Sequence, residues 1–441
     1  MTFEVFLATF GFLFLICLFA QKISFKTGLP SLLLFLGIGM LAGEDGPGGI
    51  KFEDAKLANY IGTVALAFIL FSGGLNTDWK AFKSVLFRGS LLSTLGVALT
   101  AFFMFCGAHY LFRLPLDVSL LLGVILSSTD APAVFNALRS SGLKLKNPKL
   151  QALLETESGS NDPMAVILSM AVIGVLTTHQ FSWRDSLQQF GVQMGLGVVC
   201  GYFFGHVFLH LLKNIDIFQR GVYPVLGVSS VFLIYALTQF LGGNGFLALY
   251  LAGILLGNKK YYYRAAFNEF HDALAWVMQI TMFLTLGLLT TPHEFSHVFS
   301  TGLGLAAVLM LIARPLAVAV CLIKSGYAPK ERLFIFWAGL KGATPIILAT
   351  YPLMISYPAA PFLFNMVFFL VIISVFVQGK TLPELAKAFD LAEEAPVDGE
   401  EKTDVPRKLK NAGESTGQFL KDVFAEVCDT TRALFSRKKD D

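Results

Sequence analysis

Long apolar runs separated by short polar or Gly/Pro-marked connections fill the first 385 or so residues. They fall at about 3–20, 29–43, 57–75, 86–112, 116–138, 150–177, 187–212, 222–241, 244–257, 271–290, 298–324, 331–354 and 362–380, which predicts thirteen helices. At 1.5 Å rise per residue, roughly 20 apolar residues cross ~30 Å of hydrocarbon, so the pattern is that of an all-α polytopic membrane protein. The run from Phe3 to Ala20 has no basic preceding region and no small-x-small cleavage site, so it reads as a first span rather than a signal peptide.

Basic residues test this count, because one miscounted helix would scramble their alternation between the two sides. Connections after odd-numbered helices hold Lys22 and Lys26; Lys80, Lys83 and Arg88; Arg139, Lys144, Lys146 and Lys149; Lys213 and Arg220; Lys259, Lys260 and Arg264; Lys324, Lys330 and Arg332. Even-numbered connections hold only Lys51, Lys56, Arg113 and Arg184. The N-terminus is therefore expected outside and the C-terminus in the cytoplasm, in a cell (inner) membrane with the lipid bilayer as principal partner.

Composition narrows the class. Of 441 residues, 55% are hydrophobic and 15% charged, which excludes a soluble globular protein and a disordered chain. A net charge of +3 gives no reason to expect a nucleic-acid partner. Cys17, Cys106, Cys200, Cys321 and Cys428 are scattered, with neither a disulfide framework nor transition-metal spacing, and no cofactor motif is present.

If helix 7 links two six-helix units, an odd total gives those units inverted topology. The fifth helix of each is interrupted at depth, by Thr129-Asp130-Ala131-Pro132 in helix 5 and Lys341-Gly342-Ala343-Thr344-Pro345 in helix 12. Paired broken helices in corresponding positions point to a transport site. After Thr381 acidic and then basic residues take over, and 386–441 reads as a cytoplasmic tail. There Phe419, Leu420, Val423, Phe424 and Val427 recur at helical spacing, giving a short amphipathic helix for a regulatory contact, or simply a solvated tail.

Charged residues left inside spans carry the chemistry, since each is costly in hydrocarbon unless partnered or functional. Counted from the cytoplasmic ends, Asp162 lies ~18 Å deep, Arg314 and Lys341 ~15 Å and Asp130 ~12 Å. Ion pairing alone would account for a lone pair; four groups together with two helix breaks favour transport. In Glu155-Thr156-Glu157-Ser158-Gly159-Ser160-Asn161-Asp162-Pro163, Ser158 and Asp162 share one helix face and Glu157 and Asn161 an adjoining one. A carboxylate, a hydroxyl, an amide and freed carbonyls make a ligand set for a dehydrated monovalent cation, and the carboxylate also accepts a proton. Interhelical hydrogen bonding is the other reading of Ser158 and Asn161.

Ser128-Thr129-Asp130, Glu157-Ser158, Asn161-Asp162 and Gly339-Leu340-Lys341-Gly342-Ala343 together resemble the cation/proton antiporter superfamily. The Asn-Asp pair is similar to its electroneutral bacterial sodium or potassium/proton exchanger branch, and Gly43-Glu44-Asp45-Gly46-Pro47-Gly48-Gly49 with Phe71-Ser72-Gly73-Gly74-Leu75 resembles potassium/proton members. The resemblance implies that Asp162 carries cation and proton in turn, with Thr129, Asp130 and Ser158 at or beside the ion and Asn161 supporting helix 5. It implies a buried ion pair between Glu157 and Arg314, and compensation of helix dipoles by Lys341. It further implies a homodimer, with core helices at about 86–177 and 298–380 moving against a dimerisation unit at about 3–75 and 187–290, and helices 5 and 12 crossed at the midplane. Departures are Ala131 between the usual Asp and Pro, Lys at 341 where many sodium exchangers have Arg, and Ser72 where some relatives carry an acid.

The expected function is a secondary antiporter, not an enzyme, exchanging one K+ or Na+ for one H+ by alternating access around Asp162, without cofactors. A cation channel would call for a repeated filter that is not seen. An intramembrane enzyme would need a histidine beside a nucleophile, and none of the seven histidines flanks one.

Overall fold

The computed structural model describes residues 3–27, 30–178, 183–215 and 221–394. Fifteen helices occur among them: α1 (Phe3–Thr27), α2 (Ser31–Ala42), α3 (Ala55–Asn76), α4 (Trp79–Leu111), α5 (Leu116–Ile125), α6 (Ala131–Ser140), α7 (Pro148–Thr178), α8 (Trp183–Asn214), α9 (Val222–Phe240), α10 (Gly245–Gly257), α11 (Arg264–Leu288), α12 (Pro292–Cys321), α13 (Pro329–Trp337), α14 (Ala343–Met354) and α15 (Ala360–Ala388). Eight of these, α1, α3, α4, α7, α8, α9, α12 and α15, are long and apolar enough to cross a membrane. The predicted amphipathic segment at 419–427 lies outside the described residues.

Both predicted interruptions are real breaks. The run 116–138 is split between α5 and α6, and 331–354 between α13 and α14. Sequence explains the restarts. Asp130 accepts a hydrogen bond from the Ala133 amide (3.0 Å) as N-cap of α6, whose first turn holds Pro132. Glycine at 342 precedes α14. By contrast α7 runs unbroken through Pro163, which removes only the hydrogen bond to the Gly159 carbonyl.

Several ends differ from expectation. Helices α4 and α11 begin seven residues earlier than the apolar runs at 86 and 271, because their first turns are amphipathic and carry Lys80, Lys83, Arg264 and Glu269. At the other end of the chain, α15 continues to Ala388, and Ala392–Glu394 pairs antiparallel with Leu143–Leu145. Residues 386–394 are thus tied to the α6–α7 connection, with Lys144 to Glu393 (3.1 Å) and Lys146 to Asp390 as flanking ion pairs.

Two sets of helices pack around the breaks. In one, α10 lies against α3, α8 and α9, while α11 lies against α2 and α3; in the other, α4 packs on α5 and α7, and α15 on α12 and α14. The α3–α10 crossing is close because Gly74 faces Gly253: a Cβ on Gly74 would lie 2.4 Å from the Tyr250 carbonyl oxygen. Helix α3 also meets α7 and α14, so Asp162 in α7 lies where the two sets join.

Candidate functional site

The two breaks touch each other. The Asp130 amide donates to the Leu340 carbonyl (2.9 Å), and Lys341 Nζ donates to the Ser128 carbonyl (2.7 Å). Lysine 341 is buried, and its ammonium thus sits on a carbonyl of the non-helical link just beyond α5, near the helix end where negative charge collects. No side chain fits at 342, since a Cβ there would lie 1.7 Å from Asp130 Oδ2.

Helix α7 supplies the residues that brace this contact. Ser158 Oγ accepts from the Ala131 amide (2.9 Å) and donates to the Thr129 carbonyl (3.0 Å), bridging the gap between α5 and α6. Asn161 Nδ2 donates to Thr129 Oγ1 (2.6 Å). Ser158, Asn161 and Thr129 are therefore engaged in fixing the broken segment. On the adjoining face, Glu157 receives a two-pronged bond from Arg314, at 2.5 Å from Nη1 and 3.0 Å from Nη2, with the side chains 1% and 3% exposed. A widened π turn, Leu309–Ala313, immediately precedes Arg314 and Pro315; it absorbs the hydrogen bond the proline cannot make and sets the direction of the guanidinium.

Asp162 is different in kind. It is 6% exposed, no cation is paired with it among the described residues, and its Oδ1 has no hydrogen-bond partner. Hydroxyls of Ser128 and Thr344 and the charges of Asp130 and Lys341 border it. Ser128 Oγ and Asn161 Oδ1 are also buried and unpartnered. Unsatisfied oxygens at this density are costly in a protein interior and are commonly the mark of a ligand or proton site. Sequence reasoning did not assign Ser128 or Thr344 a role; their adjacency to Thr129 and Pro345 in the two breaks was the available signal.

A cavity of about 150 Å³ reaches Asp162, lined also by Asp130, Ser158, Gly159, Tyr250, Gln279 and Thr344. It adjoins a second space of about 400 Å³, toward the end where α6 finishes and α7 and α11 begin, walled in part by Arg139, Gln151, Glu155 and Asp272. On the far side of Asp162, Asn59 Nδ2 donates to Thr350 Oγ1 (2.9 Å, buried), joining α3 to α14. The N-cap Asn244 of α10 reaches the Pro163 carbonyl at 3.4 Å. The carboxylate is thus approached by a cavity from one end, while beyond it α3 and α14 are joined by the Asn59–Thr350 bond.

Comparison with known proteins fits this geometry. The sequence profile of the family described as "Sodium/hydrogen exchanger, transmembrane" matches residues 10–388. The chain is similar to the K(+)/H(+) antiporter NhaP2 of Shewanella oneidensis, 43% identical over 370 residues, covering 83% of this chain and 64% of that protein. It is 42% identical over 377 residues to the K(+)/H(+) antiporter NhaP of Alkalimonas amylolytica (86% and 65% covered), and 27% identical over 389 residues to the Na(+)/H(+) antiporter ApNhaP of Aphanothece halophytica (84% and 72%). The chain thus spans just under two thirds of the first two relatives' length. In fold it resembles the sodium proton antiporter MjNhaP1 of Methanocaldococcus jannaschii, with a TM-score of 0.76 at 23% identity over 88% of this chain and 99% of that one.

Proposed function

The chain belongs to the sodium/hydrogen exchanger transmembrane family, and from that premise we propose that it is a secondary antiporter exchanging one cytoplasmic K+ for one H+ around Asp162. The observation that carries the reading is Asp162 itself: a buried carboxylate with no ion pair among the described residues and one unpartnered oxygen, beside the contact of two broken helices and reached by a cavity. Potassium is preferred to sodium because the relatives at 42–43% identity are named K(+)/H(+) antiporters, against 27% for the Na(+)/H(+) relative.

In this reading α5 with α6, and α13 with α14, form single crossed and interrupted spans. Together with the eight long helices and α2, α10 and α11 they make thirteen passes, arranged as two inverted six-helix units. The basic connections put Arg139, Lys144, Lys146 and the tail in the cytoplasm, so the open cavity is the inward-facing one. A monovalent cation entering it meets Asp162, with Asp130, Ser128, Thr344 and the carbonyl freed by Pro163 as further oxygens, and displaces the proton. Ser158, Asn161 and Thr129 keep the breaks in register, and Lys341 with the Glu157–Arg314 pair fixes the surrounding charge. Helices α4–α7 and α12–α15 then move against α1–α3 and α8–α11, parting Asn59 from Thr350 and closing the inner space. The second set is the dimerisation unit of a homodimer.

Purified protein in proteoliposomes tests this. An imposed K+ gradient should drive opposed proton movement, with rubidium substituting better than sodium or lithium, and Asp162→Asn should abolish it, the amide being near-isosteric. Substantial exchange by that variant, or a saturable current that reverses away from the one-for-one equilibrium, would refute the proposal.

A further inference from the structure

The larger cavity has features that the mechanism at Asp162 leaves unused. Asp272 lies on α11, eight residues and so ~12 Å from its first residue. Its Oδ1 accepts from Ser72 Oγ (2.6 Å) and Asn76 Nδ2 (2.7 Å), both on α3, which pins the carboxylate at the cavity wall while Oδ2 takes no hydrogen bond among the described residues. On α7, across the same space, Glu155 Oε1 is held by Gln151 Nε2 (2.8 Å). Arg139 is the one Lys or Arg on this wall among the described residues.

Two carboxylates alone would be an acidic mouth. Gln279 makes the difference. It lies two turns beyond Asp272 on α11, is 7% exposed, forms no hydrogen bond among the described residues, and lines both this cavity and the one reaching Asp162. The side chain is largely buried, but its amide atoms are not among the fully enclosed unpartnered ones, so they are open to the passage and are satisfied by whatever occupies it. Its oxygen is a neutral ligand of the kind that replaces part of an alkali cation's hydration shell, and the fixed carboxylates supply charge just outside it.

We propose that Asp272, Gln279 and Glu155 form a second, shallower subsite for a monovalent alkali cation, occupied on the way to Asp162. The proposal rests on the exchange reading above. A cation held there has lost part of its water before reaching the narrower cavity, so the subsite contributes to ion choice as well as to capture.

Rubidium-86 binding to the purified full chain separates this subsite from the carrier. In an Asp162→Asn background, where exchange is lost, saturable rubidium binding should persist and should disappear on adding Asp272→Asn. No residual binding in Asp162→Asn overturns the subsite while leaving the carrier intact; exchange surviving in Asp162→Asn overturns the carrier instead. In transport, Asp272→Asn alone should raise the half-saturating cytoplasmic K+ concentration about tenfold, the value of one charged ligand, and by more than it lowers the maximal rate. That shift should survive added choline chloride, which screens a long-range field but does not compete for ligands; its collapse with salt overturns the proposal. Gln279→Met, similar in volume, should change the ratio of K+ to Na+ half-saturating concentrations, and an unchanged ratio counts against it. Should Asp272→Asn not fold, Ser72→Ala loosens the same carboxylate and should produce a smaller shift in the same direction, an unshifted value being the refuting result.

Discussion

Replacing Glu157 by Gln keeps the side-chain shape and removes the charge that Arg314 faces. The guanidinium, 3% exposed, would keep only a long 3.4 Å contact from Nη2 to the Ile335 carbonyl, and its Nε already has no partner. Withdrawal to water is blocked: Gly339 lies so near that a Cβ there would be 2.6 Å from Arg314 Nε. Breaking a buried pair from one side costs about 3–5 kcal/mol, because a desolvated charge is stranded, which is roughly a hundredfold to several thousandfold in the folded population. Arg314→Met should cost a similar amount by stranding Glu157. Leu and Met together at 157 and 314 remove both charges, and a well-packed apolar replacement of a buried pair is close to neutral, so the double variant should recover more than ~2 kcal/mol of the summed loss. Cys321, buried on α12 one turn beyond Val318, is a native reporter: with Cys17, Cys106, Cys200 and Cys428 replaced, its maleimide labelling against denaturant in detergent follows opening of this region. Single variants that label like the parent, or a double variant that loses the sum of the singles, would show that the pair does not hold α7 to α12.

Gly342→Ala should abolish exchange and lower thermal stability, because the new methyl falls 1.7 Å from Asp130 Oδ2 at the contact of the two breaks; a functional Ala variant in proteoliposomes would refute the packing. Gly159→Ala drives a methyl to within 2.5–2.8 Å of the Tyr250 ring, where the two helix sets meet, and should slow turnover more than it weakens K+ binding, read from maximal rate against half-saturation. If proton and cation compete for Asp162, the half-saturating K+ concentration at the cytoplasmic face should rise about tenfold per unit fall in pH once the proton dominates, with the maximal rate unaffected by that competition; a pH-independent value would require separate sites. At the tail, the hydrogen bond from Lys146 holds the Asp390 carboxyl below its ordinary value of 3.8, so this contact stabilises the strand pairing above that value and is lost as pH falls through the lowered one. Hydrogen exchange at the Lys146 amide, bonded to the Leu391 carbonyl, should therefore gain protection lost at pH 3 when pH is raised to 5, and Lys146→Ala should remove that difference.

The apolar helices and both interruptions were legible because hydropathy and Pro/Gly placement are local properties. Asp130 caps α6 and Gly342 precedes α14 within the very motifs that marked the breaks. The meeting of Glu157 with Arg314, 157 residues apart, was implied by resemblance and could not come from either segment alone. What sequence missed was tertiary. Ser72 and Asp272 are 200 residues apart, and an acid near the charged start of a span reads as an interface residue until α3 and α11 are packed together. Gln279 gave no signal because an apolar neighbourhood looks the same whether a carboxamide is bonded or not. The short pairing of Leu143–Leu145 with Ala392–Glu394 has too few residues to show strand alternation.

Charge accounting then links this geometry to coupling. Glu157 and Arg314 neutralise each other at 2.5–3.0 Å, and the Lys341 ammonium, seated on the Ser128 carbonyl, faces the charge of Asp162, which Asp130 also borders. Taken together, Glu157, Arg314, Lys341, Asp130 and Asp162 leave one negative charge. In the proposed mechanism the ionised form of Asp162 with the site empty gives the moving helices that one net negative charge; with either a monovalent cation or a proton aboard, the charge is cancelled. Moving an uncompensated charge through the low-dielectric barrier between the two openings costs several kcal/mol, whereas the two loaded forms avoid that cost equally. In the proposed exchange the empty carrier is thereby held back on each side, and one ion passes in each direction. Neither Asn161 nor the engaged hydroxyls of Ser158 and Thr129 can add a second exchangeable proton, so in the proposed exchange, with Asp130 keeping its charge throughout the cycle, the ratio is one for one.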